Sequence, residues 1–228
     1  MTDGILVVTP AHDEEESVGQ VVERIRALRL PSLVVDDGSS DNTALAAEAA
    51  GATVVRLPVN VGVGAALRTG FRYAVTHGYK RVVQVDADLQ HPPEAIPALL
   101  EAATGADLVI GSRFGSGYDP GMRRLGMRLL SAMVSRRIGV QVTDPTSGFK
   151  VVSEPLLSEF ARSYPAEYLG DTVEALLQAG WFGASIVEVE VPMQERLGGD
   201  PTTTVHAAAQ FGRVLLTVIA GKPRKSPP

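Results

Sequence analysis

Five short apolar runs punctuate the first half of the chain, and each is followed by a polar or acidic turn. They are Ile5-Leu-Val-Val-Thr9, Ser32-Leu-Val-Val35, Thr53-Val-Val-Arg-Leu57, Arg81-Val-Val-Gln-Val85 and Asp107-Leu-Val-Ile-Gly111. β-Branched residues dominate them with little alternation, as in strands buried on both faces. Between the runs the apolar spacing changes to three and four. The acidic segment 11–17 is expected to open a helix that carries Val18, Val21, Val22, Ile25 and Leu28 as one helical stripe, and further helices are predicted over 43–50, from the loop at Asn60 to about His77, and over 94–103. Strands alternating with helices predict an α/β fold: a mostly parallel, doubly wound, Rossmann-like sheet with helices on both faces. It is expected to form a single domain over 1–220, with a disordered tail over 221–228.

Composition narrows the class. A chain of 228 residues that is 45% hydrophobic and 21% charged is long enough for a substantial core. Its net charge of −5 argues against nucleic acid as a partner. The absence of cysteine excludes disulfides and thiolate metal sites and is compatible with a reducing cytosol. Asp3 and the charged cluster that follows Val8 do not resemble a signal peptide, and no apolar run approaches the ~20 residues that span a bilayer. The expected location is cytoplasmic, with lipid met peripherally on the cytoplasmic membrane face.

Acids at strand ends supply the candidate chemistry. The fourth run leads into Asp86-Ala-Asp88-Leu-Gln90, and Pro92 and Pro93 then stop the strand and start a helix. In open α/β sheets the carboxyl edge is where ligands bind. Two carboxylates and an amide there offer three hard oxygens to Mg²⁺ or Mn²⁺, with nucleotide phosphates completing the shell. The alternative is that Asp88 caps the following helix and Asp86 is a solvated strand end. The second run leads into Asp36-Asp37-Gly38, where adjacent carboxylates can accept hydrogen bonds from a base N–H or ribose hydroxyls. Gly38 permits a tight turn, and Asp41 or Ser40 can cap the helix over 43–50. Gly62-Val63-Gly64 suggests a dinucleotide-binding loop, but it follows the third strand, and Leu67 stands where the third glycine belongs.

Five segments in order, Val35-Asp-Asp-Gly-Ser39, the 60–64 loop, Asp86-Ala-Asp-Leu-Gln-His-Pro-Pro-Glu94, Gly111-Ser-Arg113 and Asp144-Pro-Thr-Ser-Gly-Phe149, resemble a family 2 glycosyltransferase of the GT-A fold. The branch they look like is that of the dolichol-phosphate and polyprenyl-phosphate mannose synthases. The resemblance implies a metal-dependent, inverting transfer of mannose or glucose from GDP-mannose or UDP-glucose to polyprenyl phosphate. It implies Pro10, His12, Glu14, Asp36, Asp37, Gly64 and Asp86 around the nucleotide sugar, and Asp86, Asp88 and Gln90 as ligands of Mg²⁺ or Mn²⁺. Asp88, Asp171, Arg113 and Arg128 are implied as catalytic residues, and Arg124, Arg128, Asp144, Ser147 and Arg196 as acceptor contacts. Residues 1–113 are then the nucleotide-sugar and metal half, and 114–220 the acceptor half.

Charge in the second half points the same way. Between Met122 and Gly139 stand Arg123, Arg124, Arg128, Arg136 and Arg137 and no acid, beside an apolar stripe of Leu125, Leu129, Leu130, Met133, Val134 and Ile138. Such a helix is either a solvated face or a surface for phosphate and anionic lipid, which arginine suits by its forked donors. Peripheral membrane contact, a membrane-protein partner or a homo-oligomer are the partners it allows. A second amphipathic stretch, Phe211, Val214, Leu215, Val218 and Ile219, is expected to pack in the core. Asp171 opens a helix at the place where many family 2 enzymes carry a catalytic acid. Transfer to a soluble hydroxyl with Asp171 as base is therefore the alternative, with a nucleotide-sugar-binding protein without turnover behind it.

Overall fold

The computed structural model describes residues 4–112, 122–165, 171–192 and Val218, with side chains from residue 126 onward in the segment that begins at 122. All five predicted strands form: β1 (Ile5–Ala11), β2 (Ser32–Asp36), β3 (Thr53–Arg56), β4 (Arg81–Gln84) and β5 (Leu108–Ser112). Two strands not foreseen, β6 (Lys150–Ser153) and β7 (Ile186–Glu190), complete a seven-stranded sheet of order β3-β2-β1-β4-β6-β5-β7. β1, β2, β3 and β4 pair in parallel, as do β5 and β7, whereas β6 runs antiparallel between β4 and β5. Because β6 is reversed, the chain segment just before it arrives at the edge where β4 ends. That single inversion places residues 144–150 beside Asp86.

The helices are α1 (Val18–Ala27), α2 (Thr43–Ala50), α3 (Val63–Thr76), α4 (Ile96–Ala102) after a 3₁₀ turn at Pro93–Ala95, α5 (Met122–Ile138), α6 (Leu156–Ser163) and α7 (Asp171–Phe182). On one face, Leu6, Val8, Val82, Leu108 and Val152 meet Leu67 and Phe71 of α3, Leu130 and Val134 of α5, and the apolar sides of α6 and α7. On the other, Val7, Val83, Val109 and Val151 pack on Ile25 of α1 and on Ile96 and Leu99 of α4, with Val34, Ala47 and Ala50 forming a patch beside α2. Burying β1, β2, β4 and β5 on both faces explains why they read as continuous apolar runs, whereas β3, at the sheet's edge, is only partly buried, against expectation.

Two boundaries differ from expectation, for local reasons. β1 runs through Pro10 to Ala11 because its last rung with β4 is Val8–Gln84. Beyond that rung only β2 is paired, so the missing N–H of proline costs little. α1 starts at Val18 rather than among the acids, since Asp13 sits at φ 53 and residues 12–17 form a turn-rich loop.

Candidate active site

The loops after β1 and β2 are stitched together. Asp13 N–H donates to Ser39 Oγ (3.0 Å), Ser40 N–H to Asp13 Oδ1 (2.8 Å), Glu15 N–H to Asp41 Oδ2 (3.1 Å), and Asn42 N–H to Glu15 Oε2 (3.0 Å). Glu14 N–H reaches Thr43 Oγ1 at 2.8 Å. Asp41 also accepts from Thr43 N–H (2.9 Å) at the start of α2, although the N-cap position itself falls to Asn42 rather than to Asp41 or Ser40. Pro10 is buried near the end of β1, and His12 is exposed on the loop that these bonds hold beside Asp36. Asp36 is 5% exposed and accepts Ser39 N–H through Oδ1 (3.0 Å). Asp37 is 3% exposed, and both its oxygens receive backbone N–H groups, from Val61 (2.9 Å) and Gly62 (2.8 Å). The paired acids thus close two turns from one strand tip, and Asp37 anchors the loop that opens α3 and carries Gly64. Gly38 is required there: at φ 71, a Cβ would lie 2.5 Å from the Val59 carbonyl carbon.

At the end of β4 the Asp86 side chain is 37% exposed, open enough to receive a ligand. Its backbone N–H donates to His91 Nδ1 (3.1 Å), which leaves the ring proton of neutral His91 on Nε2. The His91 ring stacks on Phe149 at 5.2 Å between centroids and 15° between planes. Asp88 Oδ1 accepts Gln90 N–H (3.0 Å), and Leu89 between them takes φ 65 while burying its side chain. Asp88 therefore organises the turn that carries Gln90. Among the described residues no three His, Cys, Asp or Glu gather as a metal cage. Two carboxylates and an amide are a partial hard-oxygen set, of the kind Mg²⁺ and Mn²⁺ take up together with phosphate oxygens.

The 143–149 turn is built rather than presented. Asp144 Oδ1 accepts from Thr146 N–H (3.3 Å) and Oγ1–H (2.9 Å). Ser147 Oγ donates to the Gly111 carbonyl (2.5 Å) and accepts from Phe149 N–H (3.2 Å). Glu188 of β7 accepts the N–H groups of Thr143 and Asp144, each at 2.8 Å. Asp144 and Ser147 are both buried and shape the turn against β4 and β5.

Next to this turn lie the predicted Asp171 and two residues the sequence did not single out, Lys150 and Tyr164. Lys150 stands opposite Gln84 across β4 and β6 and is 3% exposed, and its Nζ has no hydrogen-bond partner among the described residues. Burial pushes its ammonium down to about 8, while the carboxylates of Asp171, Asp86 and Asp144 act in the opposite direction. Asp171, the first residue of α7, is 5% exposed. Burial raises its carboxyl above the usual range, Lys150 opposes the rise, and Asp86 adds to it. Tyr164 is 1% exposed with its hydroxyl unpaired among the described residues, and burial first, then Asp171 and Asp86, hold it well above the ordinary phenol range. The sequence signal for Lys150 was a lone charge heading a four-residue strand, Lys-Val-Val-Ser, directly after the Thr-Ser-Gly-Phe turn. The strand was too short to be recognised, and the charge with it.

On α5, Leu130 and Val134 are buried, and Met127, Met133 and Ile138 pack against the same core. The predicted apolar stripe is therefore largely spent inside the protein. Arg128, Arg136 and Arg137 are exposed, as is Leu129 at 52%, and Arg137 lies 6.0 Å over the Trp181 ring. Val218, of the second amphipathic stretch, is 2% exposed in the α5 and α7 side of the core. Arg113 and Arg196 lie outside the described residues, as do the side chains of Arg123 and Arg124. No helix among the described residues is long and apolar enough to cross a membrane.

An α/β sheet with stitched loops after its first two strands, an Asp-x-Asp turn after the fourth and a reversed strand delivering a turn to the same edge defines a GT-A glycosyltransferase. Residues 6–160 match the model of glycosyl transferase family 2, and the chain belongs to that family. Undecaprenyl-phosphate mannosyltransferase of Micrococcus luteus is 33% identical over 212 residues, covering 86% of each chain. Polyprenol monophosphomannose synthase of Mycolicibacterium smegmatis is 35% identical over 213 residues, covering 86% of this chain and 79% of the relative. Glucosyl-3-phosphoglycerate synthase from Mycobacterium tuberculosis, in a crystal structure with Mn²⁺, UDP and phosphoglyceric acid, superimposes with a TM-score of 0.74 at 27% identity, covering 97% of this chain and 80% of that one.

Proposed function

We propose that this glycosyltransferase moves mannose or glucose from GDP-mannose or UDP-glucose to polyprenyl phosphate, with inversion at the anomeric carbon and with Mg²⁺ or Mn²⁺ bound. The observation that carries the proposal is the meeting of Asp36, Asp86 and Asp88 at one carboxyl edge, in a chain similar over most of its length to polyprenyl-phosphate sugar transferases. Asp86, Asp88 and Gln90 would hold the cation, which offsets negative charge developing on the departing diphosphate. Asp36, beside the Pro10–Glu14 loop, accepts donor hydroxyls or a base N–H. Arg113, Arg124 and Arg128 draw the acceptor's phosphate toward that edge, and Arg196 is assigned with them. A phosphate oxygen attacks the anomeric carbon as the sugar's bond to diphosphate breaks. Already an anion near neutral pH, it needs no base. The exposed arginines of α5 support contact with an anionic membrane face, where a polyprenyl acceptor resides.

One observation favours a second acceptor class. Asp171 is a buried carboxylate on the α7 terminus beside Asp86, suited to take a proton from an attacking hydroxyl, and the fold superimposes on a synthase crystallised with phosphoglyceric acid. Thermal-shift screening of nucleotide sugars with and without Mn²⁺, followed by transfer assays on Asp171→Asn, decides between the two. With polyprenyl phosphate as acceptor, turnover falls by less than about tenfold and donor binding is unchanged. A loss of about a hundredfold or more, within the range a positioned base contributes, would assign a hydroxyl acceptor instead.

A further inference from the structure

At the end of β4 away from Asp86 the sheet carries a second cleft, of about 330 Å³, whose walls include Lys80, Arg81, Thr104, Asp107, Ser153 and Glu154. The strand pairing explains why these residues meet. Arg81 stands directly opposite Ser153 across β4 and β6, so both side chains leave the sheet on one face, with Cβ atoms about 5 Å apart. Val83 and Val151, two steps along the same strands, pack in the layer of Ile96 and Leu99, which puts Arg81 and Ser153 on the α4 face as well. Most polar groups of the cleft are committed to one another. Lys80 Nζ pairs with Glu154 Oε2 at 3.0 Å, and Asp107 Oδ2 accepts the N–H (2.8 Å) and Oγ–H (2.7 Å) of Ser185. The Ser153 N–H donates to the Asp107 carbonyl at 2.9 Å. Two groups are left over. Ser153 is 8% exposed, yet its Oγ has no hydrogen-bond partner among the described residues, where a buried hydroxyl normally has one. Arg81 is half-buried beside it and forms no ion pair or side-chain hydrogen bond among the described residues, with Asp107 or with the carbonyls that end α4 at Ala102.

We propose that this cleft is a second phosphate-binding site, filled by inorganic phosphate or by the phosphate group of a small metabolite. Arg81 supplies forked N–H donors that match phosphate oxygens, and Ser153 Oγ–H supplies one more donor from the floor. Thr104, exposed at the rim, offers a further hydroxyl. The two acids do not close the site to an anion, since Glu154 is matched by Lys80 and Asp107 is turned to the donors of Ser185. The site lies at the end of the sheet opposite the Asp36 and Asp86 edge and does not rest on the proposed sugar transfer.

The test is calorimetric titration of four full-length proteins, the parent, Arg81→Gln, Ser153→Ala and Arg128→Gln, with inorganic phosphate and with glucose 1-phosphate at constant ionic strength. Hydrogen bonds to a charged group are the strong ones, so Arg81→Gln is expected to weaken binding by about tenfold or more, and Ser153→Ala by about threefold or more. Arg128, a candidate acceptor contact at the other edge, is the control, and its replacement is expected to change affinity by less than about twofold. Tighter binding of glucose 1-phosphate than of inorganic phosphate, by about tenfold, supports the site with a phosphorylated metabolite as its ligand; equal affinities support it with the free ion. A parent Kd weaker than about 10 mM for both probes overturns the proposal. So does parental affinity in Arg81→Gln, or a loss in Arg128→Gln as large as that in Arg81→Gln, which would place the phosphate at the Asp86 edge. If Arg81→Gln fails to fold, Ser153→Ala decides, and unchanged affinity there overturns the proposal. Every outcome is read from binding alone, so a parent that transfers sugar to no acceptor defeats the proposed function without deciding this site.

Discussion

Gly148 lies so close to Asp86 that a methyl group on it would stand 2.7 Å from Oδ2 and 3.1 Å from Oδ1. The carboxylate has little room to retreat, because its own backbone N–H is held by His91 and the His91 ring is stacked on Phe149. Gly148→Ala should therefore turn the Asp86 carboxylate away from the edge. A displacement of about an ångström at a reacting centre is enough to cost about a hundredfold in turnover. We expect a loss of that order in kcat/KM with weakened Mn²⁺ dependence. Unchanged kinetics would mean that Asp86 takes no part in donor binding.

Asp88→Ala removes one of the two carboxylates and the acceptor of the Gln90 N–H. Metal-dependent nucleotide binding, followed by calorimetry, should be lost along with nearly all turnover. Folding stability should change by no more than about 1 kcal/mol, as for a partly exposed strand-end residue. Transfer near the parent rate in EDTA would rule out the cation.

The arginines of α5 should bind vesicles containing anionic lipid at low salt and release them as salt rises. Each contributes about 1 kcal/mol near such a surface, so replacing Arg123, Arg124, Arg136 and Arg137 with Gln should weaken co-sedimentation by about a thousandfold. No binding by the parent at low salt would remove the membrane contact.

Lys150 also makes stability depend on pH in a definite direction. In the folded protein its ammonium titrates at about 8, against 10.5 in the unfolded chain. Between those values the unfolded chain binds more protons, so the cost of burying the charge fades as pH rises. Measured by urea unfolding, the parent should gain about 2 kcal/mol on Lys150→Met between pH 8 and pH 10. Tyr164 acts oppositely at higher pH in both proteins and cancels in the difference. A flat difference would place the amine in contact with water.

The first five strands and the Asp-x-Asp turn were legible because β1, β2, β4 and β5, packed on both faces, leave apolar runs, as does the half-exposed edge strand β3, and a run that ends in acids marks the sheet's edge. β6 and β7 were not legible. Lys150-Val-Val-Ser has two apolar residues and a charged head, and Ile-Val-Glu-Val-Glu on an edge strand alternates too briefly to stand out. Their pairing partners lie far away in sequence, which no local pattern reports. Asp36 and Asp37 were noticed for the right reason, as charges a cap does not explain, yet much of what they do is to close turns through Ser39, Val61 and Gly62. Lys150 was missed because a single charge in a strand carries no periodic signal.

The reversed strand also ties the two halves of the chain into one unit that cannot be cut. β5 lies in residues 1–113, yet its hydrogen-bonded neighbours are β6 and β7, both drawn from the second half of the chain, and β4 has only β6 on that side. A fragment ending at residue 113 would carry a strand with nowhere to dock and a bare flank along β4, a template for pairing between molecules. Such a fragment should aggregate, since the sheet that carries the candidate site is complete only when β6 and β7 are present.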